Sequence, residues 1–467
     1  MAGATAVGLA VAAGAVAAAG PWDSGQRTAE RDRAAVRSAT GGAHHAPAPH
    51  APAPAPSARG VLAALGAPAH DPAASLATAL PQLLGPLLAS SGLGPRPAAA
   101  VYDTATGRQI YGERADTAMT PASTIKIATA VAALSALGPD HRIPTTVAAT
   151  ADARALTLVG GGDPTLGKDG LRTLADTTAR ALRARGVTQV ALGYDTSRYS
   201  GPELHPIGPN ENLARVVALM TDEGRTDGSD SGPAPRTGDP AGDTARTFVS
   251  LLAERGVTAS TPRPGRAPDG AAELARTLSA PLSDLVERML TNSDNDLAEA
   301  LARQTAIAGG RPADFAGAAS AVADRLAALG LPQSAGVHFA DGSGLDRDDR
   351  VTAQLLTLLL ARAADPGHPE LRPVLTGLPV AGFTGTLRAR YGAASAGTGL
   401  VRAKTGTLSG VNALAGTVVD ADGHLLAFAF LASDTPGPDA AQRALDRLAE
   451  RLATCGCHGG PTPAGGP

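Results

Sequence analysis

Two residues near the start of an apolar segment could support nucleophilic catalysis. Ser123 precedes Lys126 by three positions, and the sequence after them favours a helix. A three-residue step on a helix turns by about 300 degrees, so the hydroxyl and the amine lie on one face. A neutral lysine can then take the serine proton, and unpaired N–H groups in the first helical turn can stabilise an oxyanion. Taken alone, the pair is equally compatible with an N-cap serine and an ordinary helical lysine.

A second polar group opens another helical segment. Ser293, Asp294 and Asn295 stand directly before DLAEALARQTA. Ser293 offers a hydroxyl that could pass a proton between Lys126 and a leaving group. Asn295 offers an amide that could hold a substrate carbonyl and the lysine at once. The stretch is also rich in N-cap residues, so capping alone would explain it.

A third group lies on the first strand of a C-terminal meander. Thr405 could donate a hydrogen bond to a substrate laid along this strand, and Gly406 could let the substrate backbone approach closely. Lys404 would supply fixed positive charge. The chain has only three lysines among its 40 basic residues, and two of them stand in these motifs. Arginine stays protonated, so a base must be sought among the lysines.

The elements around these motifs predict an α+β fold. Residues 98–116 read as a β-hairpin, and apolar positions from Ile125 to Leu137 indicate a helix buried on most sides. Three strand-like runs cover about 400–405, 411–419 and 424–432. Together with a final amphipathic helix, roughly Pro438 to Leu452, these elements predict one antiparallel sheet with helices on both faces.

The middle of the chain has a different character. Residues 145–270 contain a stretch rich in Gly, Asp, Pro and Arg. We interpret this segment as a smaller inserted α/β domain whose entry and exit lie close together. The catalytic domain is then split into residues 61–144 and 271–455.

Both ends of the chain differ from a globular domain. Residues 1–20 form an apolar run whose length suits a secretory signal peptide or a membrane anchor. Residues 21–60 include an Ala/Pro-rich tract that favours extended conformations and predicts a disordered linker. Residues 456–467 are predicted to be a disordered tail. We expect an extracytoplasmic protein, secreted or anchored to the outer face of the plasma membrane, with no other membrane contact.

Composition excludes several classes of function. The 40 basic residues nearly balance 43 acidic ones, and only 3% of residues are aromatic, so a nucleic-acid partner is not expected. The ten histidines are scattered and show no metal-ligand spacing. A disulfide between Cys455 and Cys457 would be strained. We therefore expect neither a metal nor another cofactor.

The three motifs in this order resemble those of active-site-serine penicillin-binding proteins. Over about residues 95–455 the chain is similar to the low-molecular-mass class C members, the D-alanyl-D-alanine carboxypeptidase/endopeptidase family, in an actinobacterial form. Four further segments carry the resemblance: LVGGGDPTL (158–166), GYDTSRYSGP (193–202), PLSDLVERMLTNSDN and DGSGL (341–345).

The resemblance implies the transpeptidase-like fold of serine β-lactamases and penicillin-binding proteins, and an acyl-enzyme on Ser123. It implies that peptidoglycan peptides are the substrates and β-lactams the inhibitors. Lys126 would be the general base, Ser293 a proton relay and Asn295 a substrate clamp. Lys404 and Thr405, beside Gly406, would bind the terminal carboxylate of the substrate. The N–H groups of Ser123 and Thr407 would form the oxyanion hole. Repulsion by Lys404 would lower the pKa of Lys126.

Two alternatives share these motifs. A serine β-lactamase needs a water-activating group, and the nearest match to its E-x-x-L-N pattern, Glu211-Asn212-Leu213, has the wrong spacing. A penicillin-sensing or wall-binding module would be acylated without turnover. A Ser-His-Asp hydrolase is set aside because its G-x-S-x-G motif is missing.

The segment between Lys126 and Ser293 is short for the D-alanyl-D-alanine carboxypeptidase/endopeptidase family that the chain resembles. This length implies that a third domain, found in larger members of that family, is absent.

Overall fold

A computed structural model describes residues 72–332 and 334–456, with side chains from Leu76 onward. The predicted signal or anchor segment, the whole predicted linker, and all of the predicted tail except Gly456 lie outside the described residues. Cys455 is a buried free thiol, and burial raises its pKa to about 12. None of the helices in the described ranges is long and apolar enough to cross a membrane.

The described residues form ten α-helices and eleven β-strands. The helices are α1 (Pro72–Leu88), α2 (Lys126–Leu137), α3 (Lys168–Arg183), α4 (Pro240–Ala253), α5 (Leu282–Asn292), α6 (Asn295–Ala308), α7 (Phe315–Ala328), α8 (Ala353–Ala364), α9 (Arg372–Thr376) and α10 (Pro438–Ala453). The strands are β1 (Ala98–Asp103), β2 (Arg108–Glu113), β3 (Pro144–Ala149), β4 (Ala155–Val159), β5 (Gln189–Asp195), β6 (Thr258–Ala259), β7 (Arg263–Pro264), β8 (Ala272–Leu278), β9 (Val401–Leu408), β10 (Val411–Val419) and β11 (Leu425–Ser433).

The first sheet joins the two ends of the described chain. Its antiparallel order is β2-β1-β11-β10-β9, so the N-terminal hairpin pairs with the C-terminal meander. Ala98 lies opposite Leu431, and Thr407 lies opposite Asn412. The predicted hairpin and meander are both confirmed, and β9 is placed at an edge of the sheet.

The two faces of this sheet pack against different helices, as the alternation of side chains along β11 illustrates. Leu426, Phe428 and Phe430 point to a core shared with α1 and α10. Ala427 and Ala429 point to the opposite core, where α2 lies with α5, α6, α7 and α8. Because alanine is small, these helices can approach the sheet closely. The predicted α+β architecture with helices on both faces is confirmed.

A second sheet is formed by residues that lie, along the chain, between the N-terminal hairpin and the C-terminal meander of the first sheet. Its strand order is β6-β5-β4-β3-β8, with β7 also pairing with β5. Strands β3 and β8, the first and last of this segment, pair antiparallel with Thr145 opposite Thr277. The chain therefore enters and leaves this segment side by side. Helices α3 and α4 pack on the sheet around Leu174 and Phe248, in a core of its own.

Candidate active site

Ser123 lies in a tight turn immediately before a buried helix. Residues Ala122–Ile125 form a 3₁₀ turn, and α2 begins at Lys126. This turn runs directly into α2, so Ser123 lies in the first turn of the helical segment, although that turn is 3₁₀ and not α. Ala122 has a φ of 47°, a conformation that non-glycine residues seldom adopt. This backbone places Ser123 Oγ 3.1 Å from Lys126 Nζ, as the motif spacing predicts.

The Lys126 amine has three polar neighbours. Its Nζ lies 2.7 Å from Asn295 Oδ1 and 2.6 Å from the main-chain carbonyl of Ser343. Both oxygens only accept hydrogen bonds, so a neutral amine donates its two hydrogens to them. The lone pair is then left for the Ser123 hydroxyl. This geometry suits a general base.

Burial favours the neutral form of Lys126. The side chain is fully buried, and this lowers its pKa to about 8, although the negative charges of Asp341 and Glu299 oppose the shift. Burial also lowers the pKa of Lys404 well below its usual range, with repulsion by Lys126 as the second cause. Repulsion between the two lysines therefore lowers the pKa of Lys404, whereas the resemblance implied that it would lower the pKa of Lys126. Burial is the main cause of the lowered Lys126 pKa.

The junction of helices α5 and α6 positions Ser293 and Asn295. Ser293 ends α5 in a left-handed conformation with a φ of 59°, and Asp294 caps α6 through the Leu297 N–H at 3.0 Å. Lys404 Nζ donates to Ser293 Oγ at 2.8 Å. The structure therefore links Ser293 to Lys404, while Asn295 contacts Lys126.

The edge of strand β9 that does not pair with β10 faces the site that contains Ser123 and Ser293. The N–H groups of Val401 and Ala403 point away from β10 and donate to carbonyls of a neighbouring loop. By the two-residue alternation of a strand, the N–H groups of Thr405 and Thr407 point the same way. Thr405 Oγ1 donates to Thr386 Oγ1 at 2.9 Å, and the Lys404 amine donates to the Thr405 carbonyl at 2.7 Å.

Gly406 has a different role from the expected one. A Cβ at this position would lie 2.6 Å from the Pro121 carbonyl oxygen and 3.2 Å from Ala122 Cβ. The glycine therefore lets the strand pass against the turn that carries Ser123. The expectation that it makes room for the substrate backbone is corrected by this contact.

We expect Gly406→Ala to slow acylation by about a hundredfold, because the added methyl group displaces the Ser123 turn and misplaces the nucleophile. Stopped-flow measurement with a fluorescent penicillin checks this. The matched control is Gly392→Ala, where a Cβ meets nothing within 4 Å. Equal acylation rates in the two variants would contradict this role for Gly406.

The residues of the three motifs surround a cavity of about 230 Å³. Ser123, Thr405 and Thr407 form one side, and Asn292–Asp296 form the floor. A segment between β5 and α4 closes the other side with six residues: Asn212, Arg225, Ser231, Gly232, Pro233 and Arg236. Of the eight residues predicted for the site, five line this cavity, Gly406 packs against the Ser123 turn, and Lys126 and Lys404 lie buried directly behind it.

An ionic network along the wall of the cavity was not predicted. Arg236 pairs with Asp296 at 2.9 Å, and Arg225 pairs with Glu223 at 2.8 Å. Arg288 contacts both Glu223 and Asp294. Burial raises the pKa values of Glu223 and Asp296, and the charges of Arg288 and Arg236 oppose this shift. The network ties the inserted segment to both sides of Asn295.

Two buried groups of acidic and histidine side chains bring possible metal-ligand atoms within 4.8 Å of one another. In the first, Glu223, Asp294 and Asp296 face arginines. In the second, Asp341 already accepts hydrogen bonds from His205 and from main-chain N–H groups. These carboxylates have protein partners, so their arrangement does not point to a bound cation.

Comparison with known proteins places the chain in a family. The model of the D-Ala-D-Ala carboxypeptidase 3 (S13) family matches residues 84–227 and 226–452. The chain is 37% identical to carboxypeptidase Rv3627c of Mycobacterium tuberculosis, over 86% of this chain and 85% of that protein. It is 36% identical to carboxypeptidase DacB of Mycolicibacterium smegmatis, over 87% and 86% of the two chains.

The fold comparison agrees. Penicillin-binding protein 4 of Haemophilus influenzae superposes with a TM-score of 0.65 at 23% identity, over 80% of this chain and 98% of that one. This confirms the predicted penicillin-binding-protein-like fold. The family match extends over the three motifs and the segment between them. The chain therefore belongs to the D-Ala-D-Ala carboxypeptidase 3 (S13) family.

Proposed function

We propose that this protein is a serine-type D-alanyl-D-alanine carboxypeptidase that cleaves peptidoglycan stem peptides through an acyl-enzyme on Ser123. The observation that carries the proposal is the contact of Lys126 Nζ with Ser123 Oγ at 3.1 Å, made by a buried lysine whose other two contacts are acceptors. Such a pair can generate a serine nucleophile without a histidine.

Acylation follows from this geometry. Ser123 Oγ attacks the carbonyl of the penultimate D-Ala while Lys126 takes its proton, and the N–H groups of Ser123 and Thr407 stabilise the oxyanion. Ser293, held by the Lys404 amine, gives its proton to the leaving nitrogen and regains the proton that Lys126 took from Ser123, which returns Lys126 to its neutral form. The C–N bond breaks, D-Ala leaves and the acyl-enzyme remains. Water then attacks the ester, with Lys126 as base, and restores Ser123.

The substrate end is recognised by strand β9. The terminal carboxylate of D-Ala-D-Ala accepts a hydrogen bond from Thr405, whose main-chain carbonyl is held by the buried Lys404 amine. Asn295 holds the substrate amide from the opposite side, where its own Nδ2 is braced by the Asn212 carbonyl at 2.9 Å. Gly406 keeps the strand close enough to the nucleophile for both contacts to be made at once.

The same chemistry accepts a cross-linked peptide if the leaving D-residue carries a longer side chain, so we include D,D-endopeptidase activity in the proposal. β-Lactams acylate the same serine. A penicillin-sensing module would be acylated but would release no D-Ala. Measuring D-Ala release from diacyl-D-Ala-D-Ala separates these two functions, and a purified cross-linked dimer tests the endopeptidase activity.

The site of action follows from the substrate. Peptidoglycan lies outside the cytoplasm, and we propose that residues 1–20 export the chain or anchor it to the outer face of the plasma membrane, with residues 21–60 as a spacer. The division into a catalytic domain (61–144 and 271–455) and an insertion (145–270) stays a prediction. Cell fractionation with and without residues 1–20 tests the anchor.

We expect Thr405→Val to slow D-Ala release roughly ten- to a hundredfold more than it slows acylation by a thioester that lacks the carboxylate. The variant loses one charge-assisted hydrogen bond to that carboxylate. Thr398→Val is the control, because its hydroxyl donates to the Gly392 carbonyl outside the cavity. An equal loss with both substrates would mean that Thr405 supports the strand and does not read the substrate end.

A further inference from the structure

The carbonyl that holds Lys126 belongs to a turn built around one carboxylate. Asp341 accepts hydrogen bonds from the N–H groups of Ser343 at 2.9 Å, Gly344 at 2.5 Å and Asp346 at 2.8 Å. Its side chain is 1% exposed. The turn 341–346 therefore keeps its shape only while this carboxylate stays in place.

This turn is fixed against the helix that begins with the lysine. The Ser343 carbonyl accepts from Lys126 Nζ at 2.6 Å, and the Gly342 carbonyl accepts from Thr129 Oγ1 at 2.7 Å. If the turn moved, the lysine would lose one of the two acceptors that direct its lone pair toward Ser123.

A buried histidine from the segment after β5 holds the carboxylate from its other side. His205 Nε2 lies 2.9 Å from Asp341 Oδ2, and both side chains are 1% exposed. The Ile207 N–H donates to His205 Nδ1 at 3.2 Å, which leaves the proton on Nε2. The ring packs edge-on against Phe315 at 5.1 Å between centroids. His205 is thus a fixed donor to Asp341.

A second contact supports the same turn without the histidine. Glu299 Oε1 accepts from the Gly342 N–H at 3.1 Å, and Arg303 lies beside Glu299 and over the Phe315 ring at 4.2 Å. Loss of His205 therefore leaves the turn attached at Gly342. We expect the substitution to displace mainly Asp341 and the Ser343 carbonyl.

We propose that His205 is a positioning residue for the general base, acting through Asp341 and the Ser343 carbonyl on Lys126. This inference rests on the proposed function, in which Lys126 activates Ser123. A positioning role for the base predicts slower chemistry with unchanged binding, because none of these groups lines the cavity that receives the substrate.

The experiment measures the binding constant and the acylation rate constant separately, with a fluorescent penicillin and the full chain. We expect His205→Phe to lower the rate constant roughly ten- to a hundredfold at unchanged binding constant, as for a lost charge-assisted hydrogen bond. His205→Gln, which can place an N–H near the position of Nε2, should restore most of the rate. His205→Asn, whose amide is too short, should not.

Tyr199→Phe is the matched control, because it removes buried hydrogen bonds to the Gly162 and Ala300 carbonyls without contacting the turn. It should acylate at the wild-type rate. A normal rate in folded His205→Phe and His205→Asn, or an equal loss in Tyr199→Phe, would overturn the inference. If His205→Phe does not fold, the Gln and Asn variants decide. Absence of acylation in the wild-type protein would instead refute the proposed function.

Discussion

Replacing Lys126 by arginine will slow acylation by about 10²–10⁴-fold, the range expected when a general base is lost. Arginine keeps the positive charge but stays protonated at any pH the protein tolerates, so it cannot accept the Ser123 proton. Its guanidinium can still donate to Asn295 Oδ1. The substitution therefore separates the charge of the residue from its basicity.

The control is Lys126→Ala, which should lose about as much activity as the arginine variant. In the wild-type protein the active form of Lys126 is neutral, so the acylation rate should fall as the pH drops below the lysine pKa of about 8. Acylation rates measured between pH 6 and pH 9 test whether the rate falls as the pH is lowered. Near-normal acylation by Lys126→Arg would rule out the base role.

Ser123→Ala will abolish covalent labelling by penicillin and leave the fold unchanged. The substitution removes one oxygen from a half-buried side chain whose hydroxyl contacts Lys126. The proposed ester forms on Ser123 alone, so the loss should be complete within detection. Gel fluorescence after incubation with a labelled penicillin measures it, and circular dichroism reports the fold.

Ser250→Ala is the matched control for this variant, since its hydroxyl donates only to the Arg246 carbonyl, at 3.3 Å on the exposed side of α4. It should label like the wild-type protein. Labelling that survives in Ser123→Ala would move the nucleophile to another residue.

The sheet that carries the site was predictable because its strands have clear patterns. The hairpin and the meander could be located from apolar runs and turn residues, and alternate residues of β11 do face opposite cores. The 3₁₀ turn at Ser123 was not predictable from local sequence. The left-handed Ala122 is held by tertiary contacts, because Gly406 packs closely on it from a strand far along the chain.

The motifs identified the residues that meet at the cavity, but the sequence did not reveal how they are supported. His205 stood in no motif, and its partner Asp341 belongs to a segment that we recognised only by family resemblance. Arg225 and Arg236 lie in a stretch whose composition is typical of a solvated loop. Their pairing with Glu223 and Asp296 depends on contacts between distant segments, which local patterns cannot indicate.

The proposed function depends on an ester at Ser123, and peptide mass spectrometry of the acylated protein can locate this bond. The full chain is incubated with penicillin, quenched in acid and digested, and the modified peptide is fragmented. We predict a mass increase of one penicillin, located on Ser123. A modification located on any other residue, or a protein that remains unmodified under conditions in which its fold is intact, would contradict the account.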